Sequence, residues 1–150
     1  MAQAESGIDY TRFLAVAIAI ANQAHEGQLD KAGKPYILHP LAVMAQMDRL
    51  EGKIVAVLHD AIEDSELKIE DLVKQGFPEF ITEAIAAITK LEGEQYEDYI
   101  LRVKSNAIAR KVKIADVTHN MDISRIANPT EKDFQRLEKY KKVLQELTAN

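Results

Sequence analysis

The stretch IVAVLHDAIED, residues 54–64, decides how the rest of the chain is read. Its first five residues could be a buried strand or a buried helix, because a short apolar run carries no period that separates the two. The pattern continues through His59, Asp60, Ala61 and Ile62 without a strand-like break, which predicts a single helix over 54–62. A helix that is apolar all round belongs in the middle of a core. This one also carries His59 and Asp60, with Glu63 and Asp64 one turn later.

Working outward, residues 9–28 read as a first helix, with Asp9 or Thr11 near its start and an alanine-rich, buried middle. Residues 29–38 form a loop holding Gly33 and Pro35. Pro40 sits where a second helix begins, since its missing N–H would be unbonded there anyway. That helix is expected to reach about Leu50 and to be ended by Gly52. Further helices are expected over 69–74, 78–91, 96–103, 107–119 and 130–147, with Thr130 and Asp133 as a capping box at the last. The stripe Leu137, Tyr140, Leu144 and Leu147 is read as core-facing, its opposite side as solvated. There is no hairpin signal and no repeat. The expectation is an all-α helical bundle, one domain over residues 1–150, with only residues 1–7 resembling a disordered tail.

Composition removes several classes of function. The chain has no cysteine, which excludes disulfides, thiolate metal sites and cysteine nucleophiles and fits a reducing, cytoplasmic compartment. The longest apolar run, residues 13–21, is too short to span a bilayer and lacks the flanks of a signal peptide. A net charge of −5 offers no broad basic surface to a phosphate backbone, so nucleic acid is not an expected partner. A small anion remains compatible, because a metal and a few local cations can hold one in an acidic protein.

The chemistry lies in where the imidazoles and carboxylates stand. His59 and Glu63 are four residues apart, as are Asp60 and Asp64. Three carboxylates and an imidazole on little more than one turn are costly to bury without a cation. A divalent metal meets that cost, and imidazole with carboxylate suits manganese, iron, zinc or nickel. Neighbours on a helix point about 100° apart, so His59 and Asp60 share an ion only at the helix edge, and other ligands come from elsewhere. His39, just before Pro40, and Asp116, in an apolar context, are the candidates. Each has a plainer reading. A His–Asp pair recurs by chance, His39 can be a packed core histidine, and Asp116 can pair with Lys113. His25 and His119 read as structural, or at most as supports behind the ligands.

The segments HEGQ (25–28), KAGKPYILHP (31–40), LHDAIED (58–64), TKL (89–91) and KIADVTHNM (113–121) occur in an order that resembles the HD-superfamily hydrolase domain of the RelA/SpoT alarmone enzymes. The likeness is greatest to its single-domain members and runs over roughly residues 14–126. It implies an all-α HD fold with one manganese ion on His39, His59, Asp60 and Asp116. Glu63 and Asp64 match the pair that orients and activates the attacking water. Asn120 matches a residue lining the nucleotide site, and Lys31 and Tyr36 lie on the loop used against the substrate. The implied reaction removes the 3′-diphosphate from guanosine tetra- or pentaphosphate; with no synthetase segment here, alarmone synthesis is not expected. The implied partner is a small nucleotide, with neither nucleic acid nor membrane, and an oligomer is left open.

Two positions depart from that family. Asp30 and Asp122 stand where its members carry arginine, and aspartate neither grips phosphate bidentately nor stacks on a base. A different nucleotide, such as an adenosine 3′-diphosphate or a monophosphate, therefore stays open as substrate. So does a non-catalytic nucleotide-binding sensor.

Overall fold

The computed structural model describes residues 7–149, so most of the tail expected at 1–7 lies outside the described residues. The helices are α1 (Tyr10–Ala24), α2 (Leu38–Ala45), α3 (Leu50–Leu58), α4 (Ala61–Asp64), α5 (Ile69–Lys74), α6 (Glu79–Ile88), α7 (Tyr96–Lys104), α8 (Ala107–Asn120) and α9 (Glu131–Thr148), with a 3-10 turn over Ile123–Arg125. Among the described residues the only β pairing is an isolated bridge between Leu29 and Pro35. The protein is all-α, as its apolar periodicity predicts. No described helix is long and apolar enough to cross a membrane.

Helix α3 is the axis of the bundle. Ile54, Val55, Ala56, Val57 and Leu58 are all fully buried, and α1, α2, α6 and α8 pack around them. Burying each such side chain contributes about 1.5–3 kcal/mol. Small residues let the neighbours close in: Ala17 and Ala21 of α1 are also fully buried. Helix starts follow the sequence signals. The Asp9 side chain accepts the Arg12 N–H at 3.0 Å, Asn106 accepts that of Ala109 at 3.0 Å, and Asp133 accepts that of Thr130 at 2.7 Å.

Several boundaries differ from the sequence reading: α1 ends at Ala24 rather than near 28 and α6 at Ile88 rather than 91, and two further differences bear on the site. Gly52 does not end a helix. It lies in the first turn of α3, and the chain breaks earlier, at Arg49, which is extended (φ −116°, ψ 149°). Packing of α3 in the core outweighs the weak helix propensity of one glycine. Nor is 54–62 a single helix: α3 stops at Leu58 and α4 begins at Ala61. The Ala56 carbonyl takes both the His59 main-chain N–H, at 3.3 Å, and His59 Nδ1, at 2.6 Å. Side-chain competition for the helix carbonyl breaks the ladder at the His–Asp doublet.

The turn after α6 is held by Arg102 of α7. Its guanidinium donates to the carbonyls of Ala86 and Thr89 at 3.2 and 2.9 Å and grips Glu94 with bonds of 2.7 and 2.9 Å. These are the orphan carbonyls of a helix C-terminus, met by a cation as the helix dipole favours. Hydrogen bonding to Arg102 lowers the Glu94 carboxyl from 4.5 to about 2. A carboxyl depressed by folding adds stability above its unfolded value and loses it as pH falls toward the folded one. In urea unfolding, Arg102→Met is therefore expected to lower the midpoint at pH 7 and to flatten the loss of stability between pH 4.5 and 2. A variant with the wild-type midpoint and pH slope would show the clamp to be idle.

Candidate metal centre

Four side chains from three segments meet at one point. His39 comes from the first turn of α2, His59 and Asp60 from the break between α3 and α4, and Asp116 from α8. One donor atom from each lies within 4.8 Å of every other. His39 Nε2 is 2.7 Å from Asp116 Oδ1 and 3.9 Å from Asp60 Oδ2. His59 Nε2 is 3.1 Å from Asp60 Oδ2 and 3.4 Å from Asp116 Oδ1. The break in the helix turns His59 and Asp60 to the same side, which a straight helix allows only at its edge.

Each of the four has a partner behind it. His59 Nδ1 donates to the Ala56 carbonyl, which leaves Nε2 as the free lone pair facing the centre. His39 Nδ1 is 2.8 Å from His119 Nδ1. The Tyr36 hydroxyl donates to Asp60 at 2.6 Å. Asp116 is divided: Oδ1 faces the imidazoles and accepts from Asn120 at 3.1 Å, while Oδ2 pairs with Lys113 at 3.0 Å. The structural and the chemical readings of Asp116 are thus both realised, one on each oxygen. Supports of this kind fix the ligand orientation in metal sites.

The electrostatics ask for a cation. Burial opposes ionisation of Asp116, but the Lys113 ammonium and the His59 and His39 imidazoles together outweigh it and hold the carboxyl well below its usual range. Burial likewise opposes charge on Lys113, and Asp116 keeps it protonated to unusually high pH. Burial opposes charge on His59 too, yet Asp60 and Asp116 favour it strongly. Positive charge is therefore stabilised between these side chains. His59 Nε2 is also buried without a hydrogen bond. An orphaned imidazole nitrogen beside two carboxylate oxygens fits a divalent metal, and the mixed nitrogen and oxygen set suits a first-row ion.

Glu63 and Asp64 lie on α4, exposed to solvent and outside this group of four. Glu63 is oriented by the Lys90 main-chain N–H, 3.0 Å from Oε2. Although both side chains reach solvent, the protein around them displaces part of their hydration and, with the Asp60 charge nearby, raises the carboxyls of both Glu63 and Asp64. Lys31, Tyr36 and Asn120 line a cavity of about 300 Å³ that adjoins the centre. Tyr36 and Asn120 bridge the two, since each touches the cavity and a carboxylate of the centre.

The family follows from this fold and donor set. A model described as HD domain matches residues 17–149. This chain belongs to the HD domain family. HD-domain relatives include the bifunctional (p)ppGpp synthase/hydrolase SpoT of Escherichia coli, 31% identical over 128 residues that cover 75% of this chain and 18% of that protein. The guanosine-3′,5′-bis(diphosphate) 3′-pyrophosphohydrolase of Haemophilus influenzae is 35% identical over 117 residues, covering 68% of this chain and 17% of its own length. This HD domain thus spans less than a fifth of the length of these relatives. A solved structure, described as a metazoan ortholog of SpoT that hydrolyzes ppGpp and plays a role in starvation responses, superposes with a TM-score of 0.78 at 22% identity. It covers 91% of this chain and 86% of the other, and shows the shared fold.

Several residues of this HD domain were not legible beforehand. Arg125, Arg136 and Tyr140 line the cavity with Lys31. Of the predicted α9 stripe, Leu147 is buried in the core and Tyr140 and Leu144 pack against it, while Leu137 and Tyr140 also border this cavity. The 3–4 spacing of Asp133, Arg136, Leu137 and Tyr140 was the available signal of a mixed polar and aromatic face. The two departing aspartates have local structural work. Asp30 Oδ1 accepts the N–H groups of Ala32 and Lys34 at 2.8 and 2.9 Å, closing the turn at Gly33, whose φ is +80°. Asp122 caps the 3-10 turn through the Ser124 N–H at 3.2 Å.

His119 gives a direct test of the support behind the ligands. His119→Phe keeps a ring stacked on His39, now 4.9 Å away, and removes the nitrogen that faces Nδ1. Divalent-ion affinity, read by calorimetry, is expected to fall roughly 10–100-fold with little change in Tm. An unchanged affinity would show His119 to be packing alone.

Proposed function

We propose that this chain is a metal-dependent phosphohydrolase that removes the 3′-diphosphate from guanosine tetra- or pentaphosphate. The observation that carries the reading is the closure of four donor atoms within 4.8 Å, next to a cavity lined by Lys31, Arg125 and Arg136. Names of relatives that hydrolyse this class of nucleotide support it.

In this reading His39, His59, Asp60 and Asp116 hold one divalent first-row ion, manganese as the resemblance to the RelA/SpoT hydrolase domain implies. When bound, such an ion polarises phosphoryl oxygens and neutralises their charge. The chain's own groups do the rest. Lys31, Arg125 and Arg136 hold phosphate charge, and the Tyr140 ring and Asn120 amide border the nucleoside. Glu63 or Asp64 takes a proton from the attacking water, whose oxygen bonds to phosphorus as the bond from phosphorus to the ribose 3′ oxygen breaks. The products are pyrophosphate and a nucleotide with a free 3′-hydroxyl. Glu63 has one oxygen held by Lys90 and the other free for this role.

A second reading rests on the charge of the cavity. Its three cations face two carboxylates: Arg125 lies 3.9 Å from Asp30, Arg136 3.1 Å from Asp133, and Lys31 3.7 Å from Asp133. Such a lining favours a less charged nucleotide, such as a monophosphate; an adenosine 3′-diphosphate stays open through its base and not through its charge. A sensor without turnover is less favoured, because binding alone has no use for Glu63 and Asp64. We further read residues 1–150 as one cytoplasmic domain acting on a small nucleotide; the net charge of −5 speaks against nucleic acid.

The test is release of pyrophosphate and phosphate from a panel of guanosine and adenosine 3′-diphosphates, triphosphates and monophosphates with manganese added. Pyrophosphate from the guanosine 3′-diphosphates is expected, lost in Asp60→Ala and reduced roughly 10²–10⁴-fold in kcat by Glu63→Gln. Arg125→Ala and Arg136→Ala are expected to raise KM. Turnover of another nucleotide alone would replace the substrate, and manganese binding without any turnover would replace the enzyme with a sensor.

A further inference from the structure

His25 and Gln28 are unused by the chemistry above, yet they join its parts. Helix α4 has four residues, and the Asp64 N–H donates to the carbonyl of its N-cap, Asp60, at 3.0 Å. It ends at Ser65, which is extended (φ −149°), so the Asp64 carbonyl has no acceptor role within the helix. Gln28 Nε2, from 36 residues away, donates to that carbonyl at 2.9 Å and to the Ala24 carbonyl at 3.2 Å. Two carbonyls on one side of the amide fix its orientation, because only the NH2 end can donate. Gln28 Oε1 then faces His25 Nδ1 at 2.9 Å, so Nδ1 carries the proton and donates. His25 is 2% exposed, and its ring lies 5.0 Å from that of Tyr36. The Gln28 carbonyl accepts the Tyr36 N–H at 2.8 Å, while the Tyr36 hydroxyl reaches Asp60. Gln28 therefore ties the backbone of Asp64, through its side chain, to the loop that carries Lys31 and Tyr36, through its main-chain carbonyl.

We propose that His25 and Gln28 are positioning residues: the His25 imidazole orients the Gln28 amide, and the amide sets the Glu63–Asp64 segment against the substrate loop. The catalytic consequence rests on the proposed hydrolase reading; the positioning itself does not. A short, exposed helix held from outside is free to shift when that hold is lost, and a displacement of about 1 Å at a reacting group costs on the order of 10²-fold in rate.

The test uses the manganese-loaded chain and three variants. Gln28→Met keeps the length and removes the amide. His25→Ala removes the donor that orients it, and His25→Asn returns an amide N–H close to the place of Nδ1. Hydrogen exchange is measured by mass spectrometry over residues 60–66 and over α3 and α6, together with manganese affinity, kcat and KM. Gln28→Met and His25→Ala are expected to exchange faster in 60–66 alone and to lose roughly 10–100-fold in kcat, with KM and manganese affinity unchanged. His25→Asn is expected to recover most of both. Wild-type exchange and kcat in Gln28→Met would overturn the proposal. Faster exchange throughout the bundle, with affinity, KM and kcat failing together, would overturn it in favour of simple core support. Should the wild type turn over no nucleotide, the hydrolase reading fails, and exchange at 60–66 still decides whether His25 and Gln28 hold that segment.

Discussion

Asp60 and Asp116 bring two carboxylates into the interior within reach of two imidazoles, and this is the arrangement on which the rest of the molecule depends. An isolated buried carboxylate is expensive, and two close together more so. The fold meets that cost from several directions. Lys113 neutralises one oxygen of Asp116, Tyr36 donates to Asp60, Asn120 to Asp116, and the imidazoles stand ready to share a cation. None of these partners is adjacent in sequence to the group it satisfies, except His59 to Asp60. The centre therefore holds α2, α3 and α8 in register as much as they hold it.

That coupling accounts for the shape of the bundle around the site. Residues 54–58 of helix α3 are apolar on every side and fully buried, so its place is fixed by burial rather than by polar contacts. The polar chemistry begins where its hydrogen-bond ladder ends. The Ala56 carbonyl, taken by both the backbone and the ring of His59, stops the helix and selects the tautomer that leaves Nε2 facing inward. One local competition thus sets a boundary, an orientation and a protonation pattern. Farther out, the Arg102 clamp fixes the turn containing Lys90, whose N–H orients Glu63. A structural ion pair and a candidate catalytic carboxylate are linked through a few backbone atoms.

The cavity beside the centre is built on a different balance. Lys31, Arg125 and Arg136 converge from a loop, a 3-10 turn and α9. Asp30, Asp122 and Asp133 accompany them, and each also serves as a local cap or turn former. Acids that are held by backbone N–H groups are fixed in place, whereas the cations on longer side chains are tied at 3.1 to 3.9 Å. The arrangement places its mobile charge on the basic side chains, the ones able to turn toward an anion.

Much of this was legible in the residues alone. Apolar periodicity and capping residues place α1, α5 and α7 to α9 with small errors, because those features act within a turn or two of chain. The His59–Asp60 doublet, with His39 and Asp116 at their positions, pointed to a metal because burying such groups otherwise has no local remedy. Other features were invisible for an equally physical reason. Glycine at 52 and the run 54–62 were misread because core packing and a side-chain bond to a carbonyl outweigh local propensity. Arg125, Arg136 and Tyr140 become neighbours of Lys31 only when α9 packs on α8, and the pairing of His39 with His119 spans 80 residues. The sequence by itself determined an all-helical chain with a buried set of metal-type donors, since composition and local spacing suffice for that. That Tyr36 and His119 face those donors, and which cations share their cavity, was decided only by the tertiary structure, because those contacts join segments that no local rule relates.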